Sequence, residues 1–198
     1  WNMHEGDSEP APLVYNGIVY LINPGNVLQA LDGKTGELIW EHWTGPANRQ
    51  DMRNIAMYDD KIIQSTTDAR IVALDARTGN QIWETQIADN RQGFSNSSGP
   101  IVADGMVISG LTGCTRYTPD DCYISAYDAD NGELLWQFVT VAKMGEPGGD
   151  TWGGLDNMFR SGGDTWITGS YDPDLRLTYW GTAQQKPWVP VSRHMTIF

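Results

Sequence analysis

Hydrophobic and polar residues alternate along three stretches of the chain, residues 11–23, 54–66 and 99–110. Alternation with a period of two is typical of a β-strand that is buried on one face. Each stretch is interrupted by two residues that favour tight turns, and the three pairs are Asn16-Gly17, Asp59-Asp60 and Asp104-Gly105. Such a pair between β-branched runs predicts a hairpin. The pattern therefore predicts three β-hairpins.

Each predicted hairpin is followed by a copy of the motif Ala-x-Asp-x-x-(Thr/Asn)-Gly-x-x-x-Trp. The copies are ALDGKTGELIW (30–40), ALDARTGNQIW (73–83) and AYDADNGELLW (126–136). The motif predicts a second hairpin, in which the Asp carboxylate accepts hydrogen bonds from its own turn and the Gly supplies a positive φ. A weaker copy, SYDPDLRLTYW (170–180), keeps Tyr-Asp and the final Trp but has a turn that begins with Pro.

Two hairpins in roughly 40–50 residues make a four-stranded antiparallel sheet, which is the size of one blade of a β-propeller. A blade cannot cover both of its apolar faces alone, so the motif tryptophans are expected to pack on the backbone of the next blade. This structural role is preferred over ligand contact for Trp40, Trp83 and Trp136.

The repeats predict an all-β fold of about four blades, which is about half of an eight-bladed ring, because closed rings of such units usually have more blades. Residues 1–198 are expected to form one partial propeller domain that continues beyond Phe198, since the final apolar run would otherwise leave an unpaired strand edge. The start at Trp1, without an initiator Met, indicates a chain that was processed or cut from a longer one.

The net charge of the chain and its two cysteines indicate which partners and which cellular compartment are expected. The chain has 13 Lys and Arg against 25 Asp and Glu, a net charge of −12, which argues against nucleic acid or an anionic membrane as partner. This acidity suits either a basic protein partner or solubility alone. No apolar run reaches the roughly 18 residues of a membrane span. Cys114 and Cys122 have no His nearby, so a disulfide in an oxidising compartment such as the periplasm is preferred over zinc, and two free thiols are the alternative.

The triplicated motif resembles the tryptophan-docking motif of the quinoprotein alcohol dehydrogenases. The segment GGDTWITGSYDPDLRLTYWGTAQQKPW (162–188) is similar to a long signature of the same family, and SEPAPLVYNGIVYL to its opening blade. The resemblance implies a periplasmic eight-bladed propeller that uses pyrroloquinoline quinone (PQQ) and a calcium or lanthanide ion. The docking motif also occurs in non-catalytic propellers, so the combination with the signature is the specific feature.

The resemblance implies cofactor contacts at several positions. Glu9 matches an acidic residue near the quinone carboxylates, Arg53 an arginine on the o-quinone side, and Ser97 a hydroxyl that bonds a PQQ carboxylate. For Arg53 the alternative is a solvated charge at the end of a strand.

Further contacts are implied beside and below the ring of the cofactor. Thr112 and Gly113 match a Ser-Gly pair beside the ring, and Asp164 falls at a hydroxyl position. Trp166 matches the tryptophan that lies flat under the tricyclic ring, and its alternative is an ordinary core tryptophan. A flat tricarboxylate would need such an aromatic platform, neutral donors and a cation.

The cysteines depart from the family pattern. The family often has two adjacent cysteines, bridged over the quinone, just before the position of Arg53, whereas the aligned stretch here, PANRQDM, has none. Cys114 instead follows Thr112 and Gly113 directly. A bridge from Cys114 to Cys122 is therefore expected either close to the cofactor or as a purely structural staple.

The predicted metal ligands and the general base also differ from the family pattern. The family's Glu ligand falls at Thr115 and its Asn ligand at Gln184, which weakens the predicted calcium site; Asp120 or Asp121 is an alternative ligand. The family's catalytic Asp is expected beyond Phe198, so no residue of this chain is assigned as catalytic. Asp156 and Asp164 are interpreted as structural, and this chain alone is not expected to turn over substrate.

Two functions follow from these observations. The preferred one is a PQQ-dependent dehydrogenase that oxidises an alcohol or aldehyde and passes electrons to a cytochrome c. The alternative is a non-catalytic propeller scaffold similar to outer-membrane assembly lipoproteins, which would not need Glu9, Arg53 and Trp166 together. A quinone absorption band in the near ultraviolet would distinguish the two. The chain has no phosphate-binding loop and no serine-hydrolase elbow.

Overall fold

A computed structural model describes residues 9–46, 52–114 and 121–186, and these residues form an all-β structure. Three four-stranded antiparallel sheets follow one another along the chain, each with its strands in chain order. The first sheet contains β1 (Leu13–Tyr15), β2 (Ile18–Asn23), β3 (Val27–Asp32) and β4 (Leu38–Trp43). The second contains β5 (Ile55–Tyr58), β6 (Lys61–Ser65), β7 (Arg70–Asp75) and β8 (Gln81–Gln86). The third contains β9 (Ile101–Ala103), β10 (Met106–Ser109), β11 (Tyr123–Asp128) and β12 (Leu134–Val139). The predicted four-stranded blades are confirmed.

The fourth repeat forms a smaller structure than predicted. The short strands β13 (Ser161–Gly162) and β16 (Gln185–Lys186) pair with each other, and β14 (Ser170–Asp172) pairs with β15 (Leu177–Tyr179) as the predicted hairpin. The described residues therefore form three complete blades and two strand pairs rather than four blades. β14 lies beside β9, the first strand of the third sheet, so residues 170–180 take the place of a first hairpin and not that of the docking-motif hairpin predicted for them.

Short 3-10 helices are the only helices among the described residues, at Asn90–Gln92, Gly149–Trp152 and Asn157–Phe159. Within those residues no helix is both long enough and apolar enough to cross a membrane.

The motif turns have the predicted hydrogen bonds. The Asp75 carboxylate accepts from the N–H groups of Arg77 (3.0 Å) and Thr78 (2.7 Å), and Gly79 has a φ of 71°. Asp32 and Asp128 make the equivalent bonds in their own turns. These turns are local because the carboxylate satisfies backbone donors only two and three residues away.

The motif tryptophans dock on the following sheet, as predicted for Trp40 and Trp83. The Trp40 indole donates to the carbonyl of Ala76 (3.1 Å), and a Cβ at Gly79 would lie only 2.7 Å from the Trp40 ring. The Trp83 indole donates in the same way to the carbonyl of Ala129 (3.2 Å). The motif Gly is therefore required both by its positive φ and by the indole that lies against it.

The third motif tryptophan differs from the other two. Trp136 is 36% exposed, whereas Trp40 and Trp83 are buried, and every residue of β12 is exposed. The predicted docking of Trp136 on a following blade is not seen among residues 9–46, 52–114 and 121–186, because these contain no complete sheet after the third. Trp136 and Trp180 instead line an open cavity of ≈ 480 Å³.

The first strands of successive sheets lie side by side, with β5 beside β9 and β9 beside β14. The hydrophobic core fills the spaces between the sheets, where the motif alanines Ala30, Ala73 and Ala126 are fully buried opposite their tryptophans. In each sheet the first two strands are antiparallel, so the first strand begins at the same end of the sheet at which the second strand finishes. The chain segments just before the first strands and just after the second strands therefore meet at one end of the stacked sheets.

Candidate functional site

A cavity of ≈ 380 Å³ lies at this end of the sheets. Ser97 precedes β9, Thr112 follows β10, Trp166 precedes β14, and Gln184 follows β15. The full lining is Ser97, Thr112, Asp164, Trp166, Ala183, Gln184 and Lys186. The structure thus brings four of the predicted cofactor-binding residues and the predicted metal ligand Gln184 together on one wall.

Backbone hydrogen bonds hold these segments against each other. The N–H of Thr165 donates to the carbonyl of Leu111 (3.0 Å), and the N–H of Ala183 donates to the carbonyl of Asp164 (2.8 Å). Ser95 and Thr112 exchange backbone bonds of 3.0 and 2.9 Å. The pocket wall is therefore fixed by main-chain contacts between loops rather than by side chains alone.

Trp166 lies at the rim of the pocket and is not a core residue. Its side chain is 43% exposed, and the guanidinium carbon of Arg53 lies 5.1 Å from its ring centroid, within cation–π distance. Arg53 also forms an ion pair with Glu9 at 2.7 Å, and its backbone N–H donates to the carbonyl of Ser97 (3.2 Å). The interpretation of Arg53 as an isolated solvated charge therefore does not hold.

The hydroxyl groups on the pocket wall come from buried residues. Thr112 Oγ1 donates to the carbonyl of Ser95 (2.9 Å) and lies 2.8 Å from the Ser95 hydroxyl. Ser97 and Thr112 are both buried, so their side chains are held in place by the surrounding backbone. Because the Thr112 hydroxyl donates its hydrogen to Ser95, its oxygen offers a ligand an acceptor, and the Ser97 hydroxyl is the neutral donor on this wall.

Asp164 is a buried carboxylate whose two oxygens are both engaged. Its Oδ1 accepts from the N–H groups of Gly113 (2.9 Å) and Cys114 (3.1 Å), and its Oδ2 accepts from the ammonium of Lys186 (2.7 Å). A buried carboxylate needs such partners because desolvation of its charge is costly. Sequence reasoning missed Lys186, although it is a single charge in the otherwise uncharged segment GTAQQKPW.

Cys114 and Cys122 form the predicted disulfide, with their Cα atoms 5.5 Å apart. Both cysteines are buried in the cluster that contains Phe94 and Leu111. Cys114 contributes its backbone N–H to Asp164, and its sulfur lies in the core cluster within 4.8 Å of an Asp164 carboxylate oxygen. The bridge is therefore buried in the core and at the same time next to the pocket wall, and its place near the cofactor stays a prediction.

The donors on the described wall of the pocket do not by themselves make a calcium or lanthanide site, although the predicted ligand Gln184 lies on that wall. In the described part of the chain, Asp164 is the one carboxylate that lines the pocket, and an ammonium already occupies its Oδ2. Asp121 forms an ion pair with Lys143 (2.5 Å), while Thr115 and Asp120 lie outside the described residues. Cys114, Cys122 and Asp164 lie close together, but their two sulfurs are bonded to each other and offer no thiolate. Hard cations require several free oxygen ligands, which these residues do not supply.

The same donors do fit a planar anionic quinone. The partly exposed ring of Trp166, the hydroxyl of Ser97 and the ammonium of Lys186 line the pocket, and the Arg53 guanidinium lies against the Trp166 ring. Together they offer an aromatic surface, a neutral donor and positive charge. The cavity volume lies within the roughly 300–1,000 Å³ of small-molecule sites. Asp156 is an exposed residue at the start of a 3-10 helix, where its side chain makes no capping hydrogen bond, and it does not line the pocket.

Comparison with known proteins gives the family. Residues 2–189 match the PQQ family described as glucose/ethanol/alcohol dehydrogenase, beta-propeller domain. The chain is 33% identical to a quinohemoprotein alcohol dehydrogenase, ADH IIB, of Pseudomonas putida over 91% of its length, covering 28% of that protein. It is 30% identical to the quinoprotein alcohol dehydrogenase PedH of Pseudomonas putida over 89% of its length, covering 33% of that protein.

A solved structure agrees with the sequence relatives. The fold superposes on a europium-containing methanol dehydrogenase with a TM-score of 0.84 and 25% identity, over 95% of this chain and 37% of that one. The chain spans about a third of the length of the curated relatives that it matches. It belongs to the PQQ family of glucose, ethanol and alcohol dehydrogenases, as part of their β-propeller domain.

Proposed function

We propose that this chain forms the part of a PQQ-dependent dehydrogenase that holds one side of the quinone. The complete protein would oxidise an alcohol or aldehyde in the periplasm and pass the electrons to a cytochrome c. The observation that carries the proposal is the pocket in which Trp166 presents a half-exposed ring beside Arg53, Ser97 and Thr112. Family membership of the chain supports the same activity.

The residues of the pocket would bind and orient the cofactor. When bound, PQQ supplies the redox chemistry by accepting the electrons of the alcohol. Trp166 would support the flat ring, the Ser97 hydroxyl would donate to one of its oxygens, and Thr112 would lie beside it. Arg53, fixed by its ion pair with Glu9, would place positive charge near the ring. The proposal includes the quinone but no calcium or lanthanide ion, because the described donors do not by themselves make a site for one.

The exposed face of β12 supports a larger ring in the complete protein. Trp40 and Trp83 are buried by the next sheet, and Trp136 has the same place in its own motif but is 36% exposed. A further blade on this face would bury Trp136 together with its exposed neighbours Leu134 and Phe138. The disulfide supports an oxidising compartment such as the periplasm.

The first experiment measures PQQ binding by the complete protein and by two tryptophan variants. We expect a quinone band in the near ultraviolet to remain with the protein after gel filtration. Trp166→Ala should weaken PQQ binding about tenfold or more, because the stacking surface is lost. Trp152→Ala is the matched control, since Trp152 also has an arginine above its ring, Arg160 at 5.8 Å, outside the pocket.

The second experiment tests turnover. Dye reduction by the PQQ-loaded complete protein should depend on an added alcohol or aldehyde. Retention of the quinone without turnover of any alcohol or aldehyde would contradict the proposed activity. Equal PQQ affinity of the wild type and Trp166→Ala would contradict the proposed site.

A further inference from the structure

We propose that the ammonium of Lys186 is the built-in cation of this pocket, and that it makes binding of the anionic quinone independent of a divalent or trivalent metal ion. This inference rests on the proposed function, because it concerns how the same pocket holds PQQ. It differs from the metal dependence that the family resemblance implies.

The backbone of Lys186 is fixed at the pocket wall. Lys186 pairs with Ser161 between β16 and β13, and the Ser161 hydroxyl donates to the Lys186 carbonyl (3.0 Å). The Lys186 side chain is 16% exposed and lines the cavity, with its Nζ 2.7 Å from Oδ2 of Asp164. A lysine held by its main chain, its ion pair and its burial loses little further freedom when it binds a ligand.

Asp164 orients this ammonium and is itself closed to a metal. The N–H groups of Gly113 and Cys114 bind its Oδ1, so only Oδ2 faces Lys186. A metal ion at Oδ2 would have to displace the ammonium or lie directly beside it, and like charges repel strongly in a partly buried site. The fold is shared with a europium-containing methanol dehydrogenase, yet on the described wall of this pocket the one carboxylate, Asp164, is already paired with an ammonium.

The charges at this site are balanced, so it has no excess of carboxylates that would attract a metal cation. The whole chain carries a net charge of −12, yet the two acidic residues at this site are each matched by a cation, Glu9 by Arg53 and Asp164 by Lys186. A metal site would instead have an excess of carboxylates. The Lys186 ammonium has three N–H donors, of which the bond to Asp164 occupies one. The ammonium can therefore donate to a carboxylate or quinone oxygen placed over Trp166.

The test titrates the complete protein with PQQ and follows quenching of tryptophan fluorescence, once in EDTA and once with excess calcium, after metal analysis confirms removal. We expect the two dissociation constants to agree within about twofold. Lys186→Met should raise the dissociation constant about 10- to 100-fold in both buffers, because a charge-assisted hydrogen bond is lost.

The matched control is Lys143→Met, which removes an ion pair of similar burial (Lys143 is 18% and Asp121 16% exposed) that does not line the pocket. We expect it to bind PQQ like the wild type, and thermal unfolding checks that both variants are folded. The comparison of EDTA with calcium uses only the wild type, so the inference can still be tested if the Lys186→Met protein does not fold.

Three results would overturn the inference. If calcium lowers the dissociation constant of PQQ for the wild type tenfold or more, binding depends on the metal and the inference is wrong, but the proposed function still stands. If a folded Lys186→Met variant binds PQQ as tightly as the wild type, Lys186 is not the cation that binds the quinone, and the proposed function again still stands. No PQQ binding in either buffer would overturn both proposals.

Discussion

The docking of Trp40 on Gly79 makes a direct prediction about stability. The indole is 9% exposed, it donates to the carbonyl of Ala76, and it lies against Gly79 of the following sheet. Substitution Trp40→Ala would remove the contact that joins the first two sheets. Trp43→Ala, three residues further along β4, is the control, because Trp43 is 57% exposed.

The size of the effect follows from burial. Removal of a buried Trp side chain costs about 3–5 kcal/mol of unfolding free energy. Area gives a similar figure, because about 150–250 Å² of aromatic surface at roughly 25 cal/mol per Å² corresponds to about 4–6 kcal/mol. The hydrogen bond to Ala76 is included in the mutational figure. We expect Trp43→Ala to cost about 1 kcal/mol or less.

A double-mutant cycle isolates the contact between the indole and the glycine. Gly79→Ala alone should cost about 1–2 kcal/mol for its left-handed conformation, with φ at 71°, and a further 1 kcal/mol or more because its Cβ would lie 2.7 Å from the Trp40 ring. In the Trp40→Ala background only the first of these costs should remain, so the two effects should not be additive.

The assay is urea unfolding of each variant followed by circular dichroism. A cost below about 1 kcal/mol for Trp40→Ala would refute the reasoning. An identical cost of Gly79→Ala with and without Trp40 would show that the indole does not require the glycine.

Two further predictions concern a motif turn and the disulfide. Hydrogen bonds from the Thr78 hydroxyl and N–H lower the pKa of Asp75, so the carboxylate stabilises the fold above its unfolded pKa of about 4, and this contribution is lost as the pH falls through the folded pKa. Thermal unfolding should therefore show the wild type more stable than Asp75→Ala near pH 6, with the difference shrinking below about pH 3; a constant difference would contradict this cause. Replacement of Cys114 and Cys122 by Ser should cost about 2–3 kcal/mol in urea unfolding, from the entropy of closing a short loop. Unchanged stability of that double variant, or equal sensitivity of variant and wild type to reductant, would show that the bridge does not stabilise the fold.

The repeat pattern determined the blades because its interactions are short-range. Asp75 bonds N–H groups two and three residues away, and Ala73 lies opposite Trp83 across a single hairpin. Alternation of period two sets the buried face of each strand, and the docking motif adds the contact to the next sheet. The disulfide was also predictable, because its cysteines are only eight positions apart and no His lies nearby.

The pocket was predictable only in part. The family resemblance supplied Ser97, Thr112, Asp164, Trp166 and Gln184, and the structure places all five on one wall. Their role in cofactor binding stays a prediction. Nothing local in the sequence indicates that they meet, because they come from the ends of strands in different sheets.

What the sequence determined by itself was the type of blade, its turns and the tryptophan contacts between blades, all of which depend on neighbouring residues or on a repeated motif. Only the tertiary structure paired Lys186 with Asp164 and placed Arg53 over Trp166. It also left Trp136 half-exposed where its two counterparts are buried. The physical reason is that these charges and rings come from distant segments whose relative positions are fixed by the stacking of whole sheets, so their distances follow from packing and not from spacing along the chain.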